Sequence, residues 1–172
     1  MSFIVTTDSG CDLPIGLLRQ RDILPLALSY QIGEETFRDT MEHEDLHRFY
    51  DKMRAGAAPK TSQINPQEFM DFWAPLLEQG RPIVHISLGS GVSGTWQNGV
   101  TAARLLEQQH PGARIFVVDS TLCSTGYGML ALQAADLRDQ GAGADACAAR
   151  LEADRICVNT WYTTDELKSL RR

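Results

Sequence analysis

The chain has no long hydrophobic run, no excess of basic residues and no closely spaced pair of cysteines. None of its apolar stretches approaches the roughly 20 residues of a transmembrane helix, so we expect no stable membrane insertion. The formal net charge of -6 at pH 7 argues against nucleic acid as a partner, because binding to a phosphate backbone depends on basic surface. Four cysteines without a CxxC spacing are typical of reduced thiols and favour a cytoplasmic location.

The composition that remains is that of a globular protein with one full core. Hydrophobic residues make up 43% of the 172 positions and charged residues 22%, which suits a single domain and leaves little room for two. Apolar runs at residues 83–86 and 115–118 are each followed by a helical pattern, which ends near Gln109 and Asp139 respectively. Strands that alternate with helices predict the α/β class, with a mostly parallel sheet and helices on both of its faces.

Shorter elements are predicted in the first half of the chain and at its C-terminal end. They are a strand at residues 3–7, one extended run at 23–30, a hairpin that turns at Gly33, a loop at 57–64, a strand at 156–159 and a helix at 163–171. Apolar residues three and four positions apart predict an amphipathic helix with a buried face, formed by Leu46, Phe49, Tyr50 and Met53. Asn65, followed by Pro66 and Glu68, predicts a capped helix start.

The most informative stretch is residues 87–98, which lies between a predicted strand and a predicted helix. Its glycines allow a tight turn, and the N–H groups at the start of the following helix favour an anion. Four hydroxyl side chains add hydrogen-bond donors around the same point, namely Ser87, Ser90, Ser93 and Thr95. The sequence therefore predicts that this turn binds a small, negatively charged group at the carboxyl end of a parallel sheet.

The same stretch partly matches two enzyme motifs. Residues 89–94 fit GxGxxG and Asp119 ends the next strand, so a Rossmann-type nucleotide-binding enzyme is the main alternative. Bulky Trp96 in the first helical turn and the many hydroxyls weigh against it. A nucleophilic Ser93 is a second alternative, although Thr95 stands where GxSxG has its last glycine. Glycines that serve only the turn are a third.

Residues 43–47 read HExxH, the pattern of zinc proteases. His43 and His47 would share one helix face and could bind zinc, with Glu44 as the base. No third ligand is recognisable, because His85 falls in a predicted strand and His110 in a loop. We therefore expect the two histidines to be solvated surface residues, and we predict no metal and no cofactor.

Five blocks of residues follow one another along essentially the whole chain. They are Thr7-Asp8-Ser9 with Asp12-Leu13-Pro14, Pro25-Leu26, residues 59–63 with Phe69, residues 90–97, and Val118-Asp119-Ser120 with Ser124, Gly126 and Gly128. In this order and spacing the chain resembles the DegV family of fatty-acid-binding proteins. The resemblance implies a DegV-like N-terminal α/β domain over residues 1–155. Residues 156–172 would then lead toward a C-terminal domain, and the family's Gly-Gly-Arg segment is expected just beyond the end of this sequence.

The resemblance also implies a carrier and not an enzyme. Thr61 and Ser93 would hydrogen-bond to the carboxylate of a long-chain fatty acid, which a separate fatty acid kinase subunit would phosphorylate. The acyl tail would fill an apolar tunnel made largely with the C-terminal part. Nearby support is expected from Ser62, Gly94 and Thr95. The neighbouring strand ends would be shaped by Asp8, Ser9, Asp119 and Ser124.

Overall fold

Strands and helices alternate through residues 2–163, the part of the chain that the computed structural model describes. The strands are β1 (Ile4–Asp8), β2 (Ile23–Leu26), β3 (Ser29–Ile32), β4 (Glu35–Arg38), β5 (Lys60–Ser62), β6 (Ile83–Ser87) and β7 (Ile115–Asp119). The helices are α1 (Ile15–Gln20), α2 (His43–Arg54), α3 (Pro66–Leu77), α4 (Thr95–Gln109), α5 (Thr125–Asp139) and α6 (Ala144–Asp154). None of these helices is both long enough and apolar enough to cross a membrane.

A four-stranded parallel sheet in the order β2-β1-β6-β7 forms the centre of the molecule. Every residue of β1 and β6 is buried, because helices cover the sheet on both faces. Successive side chains of a strand point to opposite faces. Accordingly, Val5 packs in a core with α5 and α6, and its neighbour Ile4 packs in a second core with α3 and α4. The predicted α/β class and the parallel sheet are confirmed.

A second, antiparallel sheet has the order β4-β3-β5. The predicted hairpin at Gly33 is confirmed, since β3 pairs with β4 and Gly33 has a positive φ of 64°. The predicted single run at residues 23–30 is wrong, because it divides into β2 and β3. The N–H of Leu28 donates to Oγ of Ser9 at 3.0 Å, at the point where the chain leaves the main sheet. The predicted loop at residues 57–64 is also partly wrong, because it contains β5.

Helix α2 forms as predicted, but the predicted burial of its apolar face is wrong. Leu46, Tyr50 and Met53 are 41%, 51% and 41% exposed. Only Phe49 of this set is well covered, by an edge-on contact with Tyr30 of β3 at 4.9 Å between ring centroids. The apolar spacing defines a helix face, but it does not say whether another element covers that face.

The start of α3 follows the prediction. The N–H of Glu68 donates to Oδ1 of Asn65 at 3.0 Å, and the N–H of Asn65 donates to Oε2 of Glu68 at 2.9 Å. These reciprocal bonds form a capping box, which satisfies two backbone donors that a helix start leaves without partners.

The predicted strand at residues 156–159 is wrong. A short 3-10 turn occupies Arg155–Cys157, and residues 158–163 have no regular structure. Nη1 of Arg155 donates to the backbone oxygen of Asp119 at 2.5 Å, so this segment crosses the end of β7 and does not pair beside it. The predicted helix at 163–171 lies outside the described residues except for its first position. The domain division at residue 155 stays a prediction.

Two titratable side chains are completely buried in the main sheet. His85 of β6 contacts Oγ1 of Thr6 through Nδ1 at 2.9 Å, and its ring packs edge-on against Phe69 and Trp73. Burial lowers the pKa of His85 to about 3, so the imidazole is neutral in the folded protein. Asp8, the last residue of β1, has the opposite shift. Burial raises the pKa of Asp8 to about 6, although hydrogen bonds to its carboxylate act in the other direction.

These two groups give opposite pH dependences of stability. The unfolded chain protonates His85 below its ordinary pKa of 6.5, so the contribution of His85 is lost as the pH falls. The contribution of Asp8 is present below its ordinary pKa of 3.8 and is lost as the pH rises through about 6. Between pH 7 and pH 4.5 each effect amounts to about 2 kcal/mol, with opposite sign.

We therefore predict that His85→Asn and Asp8→Asn change the pH dependence of stability in opposite directions. Relative to the wild type, the free energy of unfolding of His85→Asn should rise by about 2 kcal/mol on going from pH 7 to pH 4.5, and that of Asp8→Asn should fall by about the same amount. Urea denaturation at the two pH values measures both, and the pH difference removes any constant cost of the substitution. Profiles parallel to that of the wild type would contradict these assignments.

Candidate functional site

The strand order places a crevice between β1 and β6. From β1 the chain moves outward to β2, and it later returns to add β6 and β7 on the other side. In parallel sheets, ligands bind at the carboxyl ends of the strands where the order reverses in this way. The turn that the sequence singles out, residues 87–94, follows β6 and therefore lies at this crevice.

The first part of the turn is held by the loop after β7. The N–H of Gly89 donates to the backbone oxygen of Leu122 at 2.8 Å, and a Cβ at Gly89 would lie 2.7 Å from the N atom of Leu122. Close approach of two backbones therefore requires this glycine. Ser90 donates to Asp119 through both its N–H (3.0 Å) and its Oγ (2.6 Å). Two of the four predicted donors thus have carboxylate partners within the protein, because Ser87 likewise donates to Asp8 at 3.5 Å.

The second part of the turn leads into α4. Oγ of Ser93 accepts from the N–H of Thr95 at 3.2 Å and lies 2.9 Å from Oγ1 of the same residue. Thr95 is completely buried, whereas Ser93 is partly exposed. Gly94 is the N-cap of α4, so the first N–H groups of a 15-residue helix point toward this place. Of the four predicted hydroxyls, Ser93 is the one that combines partial exposure with the helix start.

The second sheet carries Thr61 on a strand whose following residue contacts the turn. Thr61 lies on β5, opposite Tyr30 of β3, and is exposed. A Cβ at Gly94 would lie 2.6 Å from Oε1 of Gln63, so the side chain of Gln63 packs against the residue that follows Ser93. Gln63 follows directly after β5 (Lys60–Ser62), so the segment that carries Thr61 lies next to the turn.

The side chains that end β1 and β7 are structural supports of this edge. Asp8 accepts from the N–H of Leu88 at 2.9 Å and from the hydroxyl of Tyr127, so it joins the turn to α5. Ser9 accepts from Leu28, as described above. Asp119 accepts from Ser90 and from the loop that follows it. Burial opposes ionisation of Asp119, but the hydrogen bonds from Ser90 and that loop lower its pKa overall.

Ser124 stands at the N-cap of α5 in an unusual backbone conformation, with φ of 56° and ψ of -145°. Its side chain makes no capping hydrogen bond. Left-handed φ values outside glycine cost energy and persist where the surroundings fix them. Ser124 therefore shapes the end of the loop after β7 through its backbone.

Sequence reasoning missed several residues that assemble the edge. Nδ2 of Asn98 donates to the backbone oxygen of Ile64 at 2.9 Å and so ties the segment after β5 to α4. Gln63, Tyr127 and Arg155 make the contacts described above. Gln63 and Asn98 are the last residues of the stretches 59–63 and 87–98 that the sequence singles out, but neither was assigned a role. Tyr127 and Arg155 act across the fold, where the sequence offers no local pattern.

The alternatives fit this geometry less well. The side chain of Gln63 fills the space next to Gly94, the third glycine of the GxGxxG match, where a dinucleotide's pyrophosphate needs open backbone. Ser93 hydrogen-bonds with Thr95 and not with a histidine that could act as a base, so this geometry does not support a nucleophilic Ser93. Within residues 2–163, no group of three or more histidine, cysteine or acidic side chains could hold a metal ion.

Of the cavities among the described residues, two lie at opposite ends of the main sheet. A cavity of about 190 Å³ opens beside Thr61, and its apolar lining includes Leu28, Tyr30, Leu46 and Phe49. A larger cavity of about 740 Å³ lies at the amino ends of β6 and β7, around Arg81 and Arg114. Ligand sites in parallel sheets lie at the carboxyl ends, so we take the smaller cavity as part of the candidate site.

Comparison with known proteins gives consistent results. Residues 2–172 match the DegV family, whose description is "Uncharacterised protein, DegV family". A DegV domain-containing protein of Clostridium perfringens is 30% identical over 171 residues, which are 99% of this chain and 59% of the relative. Another, from Caldanaerobacter subterraneus, is 33% identical over 138 residues, 80% of this chain and 48% of the relative. The chain thus spans about half the length of these relatives.

Solved structures show the same fold. A structure from Thermus thermophilus, described as "Fatty Acid Binding of a DegV family Protein", is 32% identical with a TM-score of 0.78 and covers 91% of this chain and 54% of that one. A stearic-acid-binding protein of Eubacterium ventriosum is 26% identical with a TM-score of 0.77 and covers 88% and 52%. The sequence matches cover nearly all of the chain and the structural matches cover most of it. The chain therefore belongs to the DegV family.

Proposed function

We propose that the protein binds a fatty acid and that the hydroxyls of Thr61 and Ser93 hydrogen-bond to its carboxylate. The observation that best supports this is the contact between Gln63 and Gly94, which brings the two hydroxyl-bearing segments to one edge of the sheet. The relatives from Thermus thermophilus and Eubacterium ventriosum, both described as binding fatty acids, support the same class of ligand.

The hydrogen bonds around Ser93 suit an anionic partner. In the proposed complex, Oγ of Ser93 accepts from the N–H and the hydroxyl of Thr95, which leaves the Ser93 proton to be donated to the carboxylate. Hydrogen bonds to a charged group are stronger than those between neutral groups, and a carboxylate removed from water needs them. The N-terminus of α4, at Gly94, adds favourable electrostatics. Ser62 supports Thr61 through the pairing of β5 with β3.

We further propose that the protein is a carrier and that a separate, ATP-dependent kinase subunit phosphorylates the bound carboxylate to an acyl phosphate. Thr61 is exposed and Ser93 partly so, which leaves the head group within reach of a partner. The cavity beside Thr61 would take the carbons next to the carboxylate, and the remaining length of the family's proteins would enclose the tail. A cytoplasmic setting is supported by four free cysteines.

The first prediction concerns the two hydroxyls. The double variant Thr61→Val/Ser93→Ala should bind a long-chain fatty acid more weakly by about 2 kcal/mol or more, because each lost hydrogen bond to a charged group is worth about 1.5–3 kcal/mol. Displacement of a fluorescent fatty acid from the full chain measures the change.

Thr36→Val is the matched control for this experiment. Thr36 is an exposed threonine of β4 in the same small sheet, and its hydroxyl bonds to Gln31. Its replacement should leave the affinity unchanged. An equal affinity of the wild type and the double variant would refute the head-group assignment.

The second prediction concerns the contact between the two segments. In Gly94→Ala the new methyl group would displace the carboxamide of Gln63, and the loss of this packing between the two segments should weaken fatty-acid binding. Gln63→Ala in the same chain removes the clash, so the double variant Gly94→Ala/Gln63→Ala should recover part of the affinity. The same displacement assay applies. A double variant no better than Gly94→Ala would show that this contact does not align the site.

The third prediction separates the carrier from the Rossmann-type alternative. Addition of NAD(H) should leave the intrinsic fluorescence unchanged, because Gln63 fills the space that the pyrophosphate would need. Trp96 lies in the first turn of α4 and reports directly on this place. Saturable quenching by NADH that disappears in Gly91→Val would favour the dinucleotide site.

A further inference from the structure

Helix α2 carries a pair of histidines whose ring nitrogens lie close together. Nε2 of His43 and Nε2 of His47 are 3.2 Å apart, and the ring centroids are separated by 4.3 Å. Both side chains are exposed. The pair is one helical turn apart, so the two rings emerge from the same face of the helix.

This separation fits two ligands of one metal ion. Zinc and similar ions lie about 2.0–2.1 Å from a histidine nitrogen, so two nitrogens 3.2 Å apart subtend an angle of about 100° at a shared ion. That angle is near the tetrahedral value. The same distance also suits a hydrogen bond in which one Nε2–H donates to the other ring. To bind the metal through Nε2, that donor ring would take the Nδ1–H tautomer, its proton exchanging through water.

We propose that His43 and His47 form a surface chelate for a divalent transition-metal ion such as Ni²⁺, Cu²⁺ or Zn²⁺, with water at the remaining positions. Imidazole is a preferred ligand of these ions. The site differs from a zinc-protease centre, because the described residues supply no group of three ligands. It lies on the same helix as Leu46 and Phe49 of the cavity beside Thr61, but neither histidine lines that cavity.

Two of the three neighbouring carboxylates have basic partners. Oε1 of Glu42 pairs with Arg19 at 2.7 Å, and Asp45 pairs with Arg48 and also accepts from Thr40. The third, Glu44, follows His43 directly and so lies about 100° around the helix from it, which leaves the two imidazoles as the protein ligands. Glu42 precedes His43 and Asp45 lies between the two histidines in the sequence, and the negative charge of these side chains favours a cation at this part of α2.

Isothermal titration of the full chain with NiCl₂ at pH 7.5 tests the proposal. Thiols are first capped with iodoacetamide, because Cys157 is exposed and Cys123 partly exposed. We expect one equivalent of Ni²⁺ to bind most tightly. His43→Ala and His47→Ala should each weaken that binding by about tenfold or more, because the second imidazole binds as an intramolecular ligand.

Two controls isolate the geometry. His110→Ala removes an exposed histidine outside the pair and should leave the affinity unchanged. His47→Ala/Arg48→His keeps four histidines but places the second ring about 140° around the helix from the first, so it should bind as weakly as His47→Ala. Circular dichroism checks that each variant is folded. The proposal would be overturned if the wild type bound Ni²⁺ no more tightly than His47→Ala, or if His47→Ala/Arg48→His bound it as tightly as the wild type. His43 and His47 would then form only a hydrogen bond.

Discussion

The buried carboxylate of Asp8 is the constraint on which the carboxyl edge of the sheet depends. It ends β1, accepts from Leu88 at the start of the turn after β6, and accepts from Tyr127 on α5. Three segments far apart in the chain therefore meet at one group. A buried carboxylate without hydrogen-bond donors would destabilise the fold. The hydrogen bonds to Asp8 therefore fix the position of the turn that precedes Ser93.

The candidate site joins two sheets of different character. Ser93 lies in the turn after β6, a fully buried strand of the main sheet, whereas Thr61 lies on β5, an exposed strand of the small antiparallel sheet. Gln63 and Asn98 connect the two, through packing on Gly94 and a hydrogen bond to the backbone beyond β5. These side chains determine the relative position of the hydroxyls, although neither is expected to contact the ligand.

Much of the main sheet was predictable from sequence, because each of its features is local. Apolar runs bounded by glycine predict β6 and β7, and Asn65 with Glu68 predicts the capped start of α3. The small sheet was harder, since the polar strand β5 acquires its conformation only by pairing with β3. The strand at 156–159 was predicted from local composition, but Arg155 contacts the end of β7 and this segment does not pair with the sheet. The glycine- and hydroxyl-rich turn predicted Ser93 as a site residue, whereas Gln63 and Asn98 were found only through their contacts across the fold.

The exposed face of α2 has a consequence for motion. No side chain of α2 is fully buried, and the strands β3, β4 and β5 are at most half-buried, so few apolar contacts oppose their detachment. Segments of this kind open at lower free-energy cost than the core of a domain. Opening would carry Thr61 away from Ser93 while the main sheet stays intact. In the proposed complex, a fatty acid bound between Thr61 and Ser93 would oppose this opening. Amide exchange in β5 would therefore slow as the occupancy of the site rises.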